Sequence, residues 1–177
     1  MSPEQLHQEV KDTIEFIKHS YKEHSGYEDP VEVFRWGNCG NFCRLLLQEF
    51  PDEAEPYAIY LDGKIEHIIT RVRDKYYDVG GEITIELYIE YLMRLPLGAY
   101  GKETVTYDLA RYTIKPVTDE EVAEYMDNYN DPIVMINGKD SIGGISIELE
   151  RMVRIKEDLF VRNRERKRQE GSWYNDE

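Results

Sequence analysis

Apolar residues recur every three or four positions through the first 25 residues, which is the spacing of one face of a helix. The face consists of Leu6, Val10, Ile14, Ile17 and Tyr21. Ser2 stands before this pattern and Pro3 occupies the first helical position, and both are typical of a helix N-terminus. We therefore predict a first helix that ends near Ser25.

A second helix is predicted to begin near Asn38 or Cys39 and to end before Pro51, which cannot continue it. Apolar side chains lie on most of its faces, so we expect this helix to be buried. Residues 29–36, which lie between the two helices, begin with Asp-Pro and are assigned to a loop with a short apolar patch.

The pattern then changes to short apolar stretches of the length and composition of strands. The three predicted strands are residues 57–61, 67–72 and 75–79. Asp62-Gly63 and Arg73-Asp74 separate them as tight turns, and Gly80-Gly81 closes the segment. The segment is therefore predicted to be an antiparallel meander.

The second half of the chain mixes both kinds of element. The predicted elements are a helix over 84–94, an extended segment over 107–117, a helix from Thr118 to about Tyr129, a strand over 133–136 and a long helix from Ile145. The whole pattern predicts an α+β fold, in which a buried helix carrying Cys39 packs on a small antiparallel sheet and additional helices follow. We assign residues 1–160 to a single domain and residues 161–177 to a basic C-terminal arm that frays. Residues 95–145 either cover a cleft or complete the core.

Charge is distributed unevenly along the chain. The 22 Lys and Arg against 36 Asp and Glu give a formal net charge of -14. Residues 151–168 hold eight basic and three acidic residues and are therefore net +5, which leaves -19 on the remainder. An acidic body disfavours direct nucleic-acid binding except through the 151–168 arm, because phosphate contacts need cations. The arm is expected to be a solvated helix end, or to dock on an acidic partner, on nucleic acid or on the acidic body of the same chain.

The cysteine count and the hydropathy restrict the setting of the protein. Two cysteines cannot form a multi-disulfide framework, which favours a reducing compartment. No apolar run approaches the roughly 20 residues of a membrane span, and the polar N-terminus does not resemble a secretory signal. We expect a cytoplasmic protein with no membrane partner.

Three residues form the candidate catalytic set. Cys39 lies where a loop enters the second helix, and a helix N-terminus favours a thiolate. His67 lies on a predicted strand and Asp78 on the next one, so the two can be neighbours across the turn at residues 73–74. An imidazole can move the thiol proton, and a carboxylate can orient the imidazole.

The order of these residues carries a resemblance. The segments 36–43 (WGNCGNFC), 67–69 (HII) and 74–80 (DKYYDVG) resemble the papain-like and transglutaminase-like superfamily of cysteine enzymes, in particular its compact bacterial and phage members. The resemblance covers roughly residues 34–83. It implies a Cys39, His67 and Asp78 triad and acyl transfer at an amide of a protein or peptide-like substrate, by hydrolysis, deamidation or transamidation, without a cofactor.

The oxyanion donors differ from this pattern. Papain-like peptidases place a glutamine six residues before the nucleophile, whereas this chain has Val33 there. The backbone N–H of Cys39 with Asn38 or Trp36 would have to supply the donors, and Gly40 would let the substrate approach. A missing donor costs on the order of a hundredfold or more in rate.

Alternatives exist for each of these residues. Cys43 is a rival nucleophile, but its position inside a leucine-rich helix favours burial as a small apolar residue. His67 can be a satisfied core histidine, and Asp78 can simply bond the backbone of the turn that follows it. Cys39, Cys43 and His67 are one ligand short of a structural zinc site, so no metal is expected.

Other histidines and several tyrosines carry weaker signals. His7, His19 and His24 are assigned none, and His7 is expected to be solvated. Four tyrosines either line a cleft beside the triad or pack on the sheet; they are Tyr57, Tyr60, Tyr76 and Tyr77.

The sequence therefore leaves two functions open. One is the cysteine-dependent acyl-transfer enzyme. The other is a non-catalytic acidic binding or inhibitory protein on the same scaffold, such as a phage-encoded one, that engages a basic or nucleic-acid-binding host protein.

Overall fold

The computed structural model describes residues 1–25, 29–35, 38–94, 107–129 and 143–170. The elements are, in chain order, α1 (Pro3–Ser25), α2 (Pro30–Arg35), α3 (Cys39–Glu49), β1 (Ala54–Leu61), β2 (Lys64–Val72), β3 (Lys75–Asp78), β4 (Gly81–Glu82), α4 (Ile85–Met93), a 3₁₀ turn (Leu109–Arg111), β5 (Tyr112–Pro116), α5 (Asp119–Tyr129) and α6 (Gly143–Gln169). None of the helices in these ranges is long and apolar enough to cross a membrane.

The five strands form one antiparallel sheet in the order β4-β3-β2-β1-β5. The β1–β2 turn places Asp62 and Gly63 at positive φ values of 51° and 82°, which is the backbone that a tight hairpin needs. Arg73 takes the left-handed conformation at φ 56° in the β2–β3 turn. The predicted meander is therefore present, and β5 extends it on the far side of β1.

Helices cover both faces of the sheet, because neighbouring residues of a strand point to opposite sides. On one face, Ala58 and Ile68 pack with α3 and α5. On the other face, Ile59 and Ile69 pack with α4. Helices α1, α3 and α6 share a third apolar cluster with residues of β1, β2 and β3. The structure confirms the α+β prediction, with the Cys39 helix packed on a small antiparallel sheet.

Helix α2 corrects the assignment of residues 29–36 to a loop. Asp29 Oδ1 accepts a hydrogen bond from the backbone N–H of Val31 at 2.9 Å, and Pro30 occupies the first helical position. These are ordinary N-terminal helix signals. The prediction failed because six residues are too few to show helical periodicity. The predicted strand over 133–136 lies outside the described residues, as does much of the 95–145 segment.

Helix α6 also differs from the predicted arm, because it continues to Gln169 and lies on the protein's own body. Arg162 Nη1 donates to Thr13 Oγ1 of α1 at 3.1 Å, and Arg166 pairs with Glu9 at 2.6 Å. The described residues of the arm are thus docked helix rather than frayed chain, because opposite charges on α1 and α6 face each other. Residues 171–177 lie outside the description.

His7 is buried, although it was expected to be solvated. Only 7% of its surface is exposed, its Nδ1 lies 2.7 Å from Tyr77 Oη, and its Nε2 lies 3.0 Å from Asp74 Oδ1. The side chain therefore joins α1 to β3 and to the β2–β3 turn. Helical spacing places His7 beside the apolar face of α1, but only the tertiary structure brings the turn onto it.

Candidate active site

Cys39 is the first residue of α3, as the sequence predicts. The helix start is tied to the end of α2, because the backbone N–H of Asn38 donates to Val33 O at 3.0 Å. Asn38 stands at the N-cap position without capping the helix through its side chain, and its Oδ1 accepts from Asn41 Nδ2 at 3.1 Å. The candidate nucleophile thus lies where the start of α3 is bonded to the end of α2.

His67 and Asp78 lie together at the interior of the molecule. His67 Nε2 is 3.1 Å from Asp78 Oδ2, and the imidazole stacks on Tyr88 of α4 with centroids 5.3 Å apart. The exposed fractions are 1% for His67 and 3% for Asp78. Among the described residues, His67 Nδ1 has no hydrogen-bond partner. The imidazole is therefore oriented through one nitrogen and unpartnered at the other.

The environment of His67 favours its charged form. Burial opposes the imidazolium, but the hydrogen bond to Asp78 and the interactions with Cys39 outweigh burial and raise the pKa of His67 to about 9. Cys39 is thus near enough to interact electrostatically with the imidazole, although no hydrogen bond of ordinary geometry joins the two side chains.

The carboxylate of Asp78 has all its acceptor positions in use. Oδ2 accepts from His67 Nε2 and from Arg35 Nε at 3.0 Å. Oδ1 accepts from Arg35 Nη2 at 3.3 Å and from the backbone N–H of Gly80 at 2.8 Å. Burial works against its charge, but the bond from His67 and the Arg35 guanidinium outweigh burial and lower the pKa of Asp78. The turn contact expected for a strand-end aspartate is therefore present beside the bond to His67.

Arg35 is the member of this cluster that the sequence interpretation missed. It ends α2, is 8% exposed, and lies over the Tyr91 ring with Cζ 3.6 Å from the ring centroid. Gly80 leaves room for it, because a Cβ at that position would overlap Arg35 Nη2. The available signal was an arginine inside the apolar stretch 31–36, since a charge in such a stretch needs a buried partner.

Helix α5 covers the start of α3. Cys39 is 3% exposed and shares an apolar cluster with Val122 and Met126. A Cβ built on Gly40 would overlap the Met126 side chain. Gly40 was predicted to admit a substrate, but in this structure the space beside it is filled by α5. Two side chains of α5, Val122 and Met126, are therefore part of what covers the start of α3.

Cys43 lies deeper in α3 and differs from Cys39. It is 1% exposed, and its Sγ–H donates to Ile69 O at 3.5 Å. Burial raises the pKa of Cys43 to about 12, so its thiol stays neutral in the folded protein. Cys43 is a poor nucleophile for this reason.

The aromatic residues predicted near the site make no ring contact with His67 in the described structure. Trp36 lies outside the described residues. Tyr77 is fully buried against His7, and Tyr57 contacts Tyr76 with ring centroids 5.5 Å apart. The aromatic ring that stacks on His67 is Tyr88, which was not predicted. Within the described ranges no group of three or more His, Cys, Asp or Glu side chains is arranged to hold a metal ion.

The comparisons with known proteins identify the family. A family model described as "Phage YunG-like protein" matches residues 10–127, about two thirds of the chain and all of the cluster around Asp78. The chain belongs to this family. It is therefore a phage-type protein. No curated protein and no solved structure matches this phage YunG-like chain.

Proposed function

We propose that this phage YunG-like protein is a cysteine-dependent acyl-transfer enzyme that acts on an amide of a protein or peptide-like substrate. The observation that carries the proposal is the buried imidazole of His67. It is bound to Asp78 through Nε2, is left without a partner at Nδ1 among the described residues, and is electrically coupled to Cys39. The resemblance to papain-like and transglutaminase-like enzymes supports the same assignment.

In the proposed reaction, the thiol proton already resides on His67 Nδ1 in a thiolate–imidazolium pair, in keeping with the raised pKa of His67, and the Cys39 sulfur attacks the carbonyl carbon of the amide. The tetrahedral intermediate collapses when the amine leaves and takes that proton from His67, and a thioester remains on Cys39. Water or an amine then cleaves the thioester, which regenerates the thiol. The backbone N–H of Cys39 at the start of α3, with either Asn38 or Trp36, is the proposed set of donors to the oxyanion.

Alkylation with iodoacetamide tests the proposal, with peptide mapping to separate Cys39 from Cys43. We expect Cys39 to react at pH 6.5 and to slow at least about tenfold in His67→Gln, because the thiolate loses its imidazolium partner. Cys43→Ala is the matched control and should leave the rate at Cys39 unchanged. The proposal fails if Cys39 reacts only at the pH of an ordinary thiol, both in the wild type and in a variant with α5 loosened by Met126→Ala.

A second candidate is an acidic phage protein that binds a basic host protein without catalysis. Membership in a phage family and the 3% exposure of Cys39 favour it. The exposed acidic residues of α5 offer one surface for such a partner; they are Asp119, Glu120, Glu121 and Glu124. Binding of this kind should weaken steeply with salt.

Capture of host proteins on the immobilised chain separates the two candidates. If the binding function is right, Cys39→Ala retains its partner at low salt, and Glu120→Lys with Glu124→Lys loses it. Equal retention by the charge-reversed variant would count against binding through α5.

A further inference from the structure

Within the described part of the chain, side chains of four elements interact with His67 or with its partner Asp78. Asp78 of β3 binds Nε2, Tyr88 of α4 stacks on the ring, and Cys39 of α3 acts on it electrically. Arg35 of α2 faces the imidazole across the Asp78 carboxylate. The arginine is the only permanently charged cation among these four groups, so its effect on the site does not depend on pH.

Arg35 and His67 use the same carboxylate oxygen. Arg35 Nε lies 3.0 Å and His67 Nε2 lies 3.1 Å from Asp78 Oδ2. The second guanidinium nitrogen and the Gly80 N–H occupy Oδ1, so the carboxylate cannot rotate without breaking bonds. The Tyr91 ring beneath the guanidinium holds it in this plane.

This sharing matters for proton transfer. A carboxylate that served His67 alone would hold the imidazolium strongly and make it a weak acid toward the leaving amine. A guanidinium on the same oxygen neutralises part of that negative charge. It also keeps the carboxylate ionised and fixes its orientation. The arginine acts through Asp78 and touches neither the thiol nor a substrate.

We propose that Arg35 is a positioning residue of this site, which fixes the Asp78 carboxylate and shares its charge so that His67 keeps a transferable proton. The inference rests on the proposed function. The helix that carries Arg35 is also bonded to the start of α3, because the backbone N–H of Asn38 donates to Val33 O. Helix α2 is therefore joined to α3 through its backbone and to Asp78 of β3 through the Arg35 side chain.

NMR titration of the His67 ring in the full-length protein tests this role. In Arg35→Gln, the pKa of His67 should rise by about one unit, because Asp78 then serves the imidazolium alone. In Arg35→Lys, which keeps the charge, the pKa of His67 should stay near the wild-type value. Arg111→Gln is the matched control, since Arg111 Nε binds Asp62 at 3.0 Å on the surface and should not affect His67. No rise in Arg35→Gln, or an equal rise in Arg35→Lys, overturns the inference.

A wild-type measurement covers the case in which Arg35→Gln does not fold. The Arg35 Nε–H resonance should shift with the same midpoint as the His67 ring, whereas that of Arg111 should not. If the Arg35 Nε–H chemical shift does not change as His67 titrates, the inference that the two groups share the Asp78 carboxylate is wrong. An unreactive Cys39 would instead remove the proposed function, so the two failures are distinguishable.

Discussion

Asp78 shows how a single side chain organises this protein at the scale of residues. Its carboxylate is almost fully buried, yet it accepts four hydrogen bonds from His67, Arg35 and Gly80. A buried carboxylate with fewer partners would carry a desolvation cost of several kcal/mol. The bonds instead hold it charged, and its charge in turn holds a proton on His67.

The raised pKa of His67 predicts that stability falls with pH. The folded protein binds the proton up to about pH 9, whereas the unfolded imidazole releases it near pH 6.5. The stabilisation is therefore complete below pH 6.5 and is lost between pH 6.5 and 9, by up to about 3 kcal/mol. Urea unfolding across this range should show the decline in the wild type.

His67→Gln is the reference for that experiment, because it removes the titrating ring. Its free energy of unfolding should change much less between pH 6.5 and 9. The buried Cys43 thiol weakens the fold only where unfolded thiols ionise, toward the upper end of this range and above, and it contributes equally to both proteins. Parallel pH slopes for the two proteins would contradict the assignment.

Among the elements, α5 packs against the start of α3, where the proposed chemistry lies. Thr118 and Glu121 form the predicted capping box, with reciprocal bonds of 3.1 Å that begin the helix. The helix then places Val122 and Met126 against Cys39. A segment whose sequence shows only an acidic amphipathic helix thus helps to close the candidate site.

Met126→Ala should expose Cys39. Removal of a buried methionine costs about 2–4 kcal/mol and leaves a gap beside Gly40, so alkylation of Cys39 should accelerate at least about tenfold. Met152→Ala is the matched control, because Met152 is also buried but belongs to the α1–α3–α6 cluster. If both variants accelerate the reaction equally, global unfolding rather than α5 controls access.

At the scale of the whole molecule, α1 and α6 hold the two ends of the described chain together. Asp158 of α6 accepts from Ser20 Oγ at 2.7 Å and lies 2.8 Å from His24 Nε2. The bond from Ser20 and the neighbouring His24 lower the pKa of Asp158. Helix α6 therefore docks on α1 and contributes to the fold of the acidic body.

Asp158→Ala should lower the free energy of unfolding by about 1–2 kcal/mol, because Ser20 and His24 lose their shared acceptor. Glu157→Ala changes the neighbouring exposed residue and controls for charge and helix propensity, with a change within about 0.5 kcal/mol. Urea unfolding at pH 7 measures both variants. Equal values would mean that the contacts of Asp158 contribute nothing to the α1–α6 interface.

Local sequence patterns were sufficient to predict the features that depend on neighbours along the chain. Helical periodicity identified α1 and α3, the Asp62-Gly63 pair identified the first hairpin, and the capping box identified the start of α5. The same local reasoning brought His67 and Asp78 together, because they lie on consecutive strands joined by a short turn.

Contacts between side chains that are distant in sequence could not be predicted in this way. Arg35 and Asp78 are 43 positions apart, and His7 and Tyr77 are 70 apart, so no periodicity links them. Such pairs are set by how elements pack, and a charge can enter the core only where packing supplies its partner. For the same reason the sequence predicted the position of Cys39 on α3, but only the tertiary packing determined that side chains of α5 help to cover the thiol.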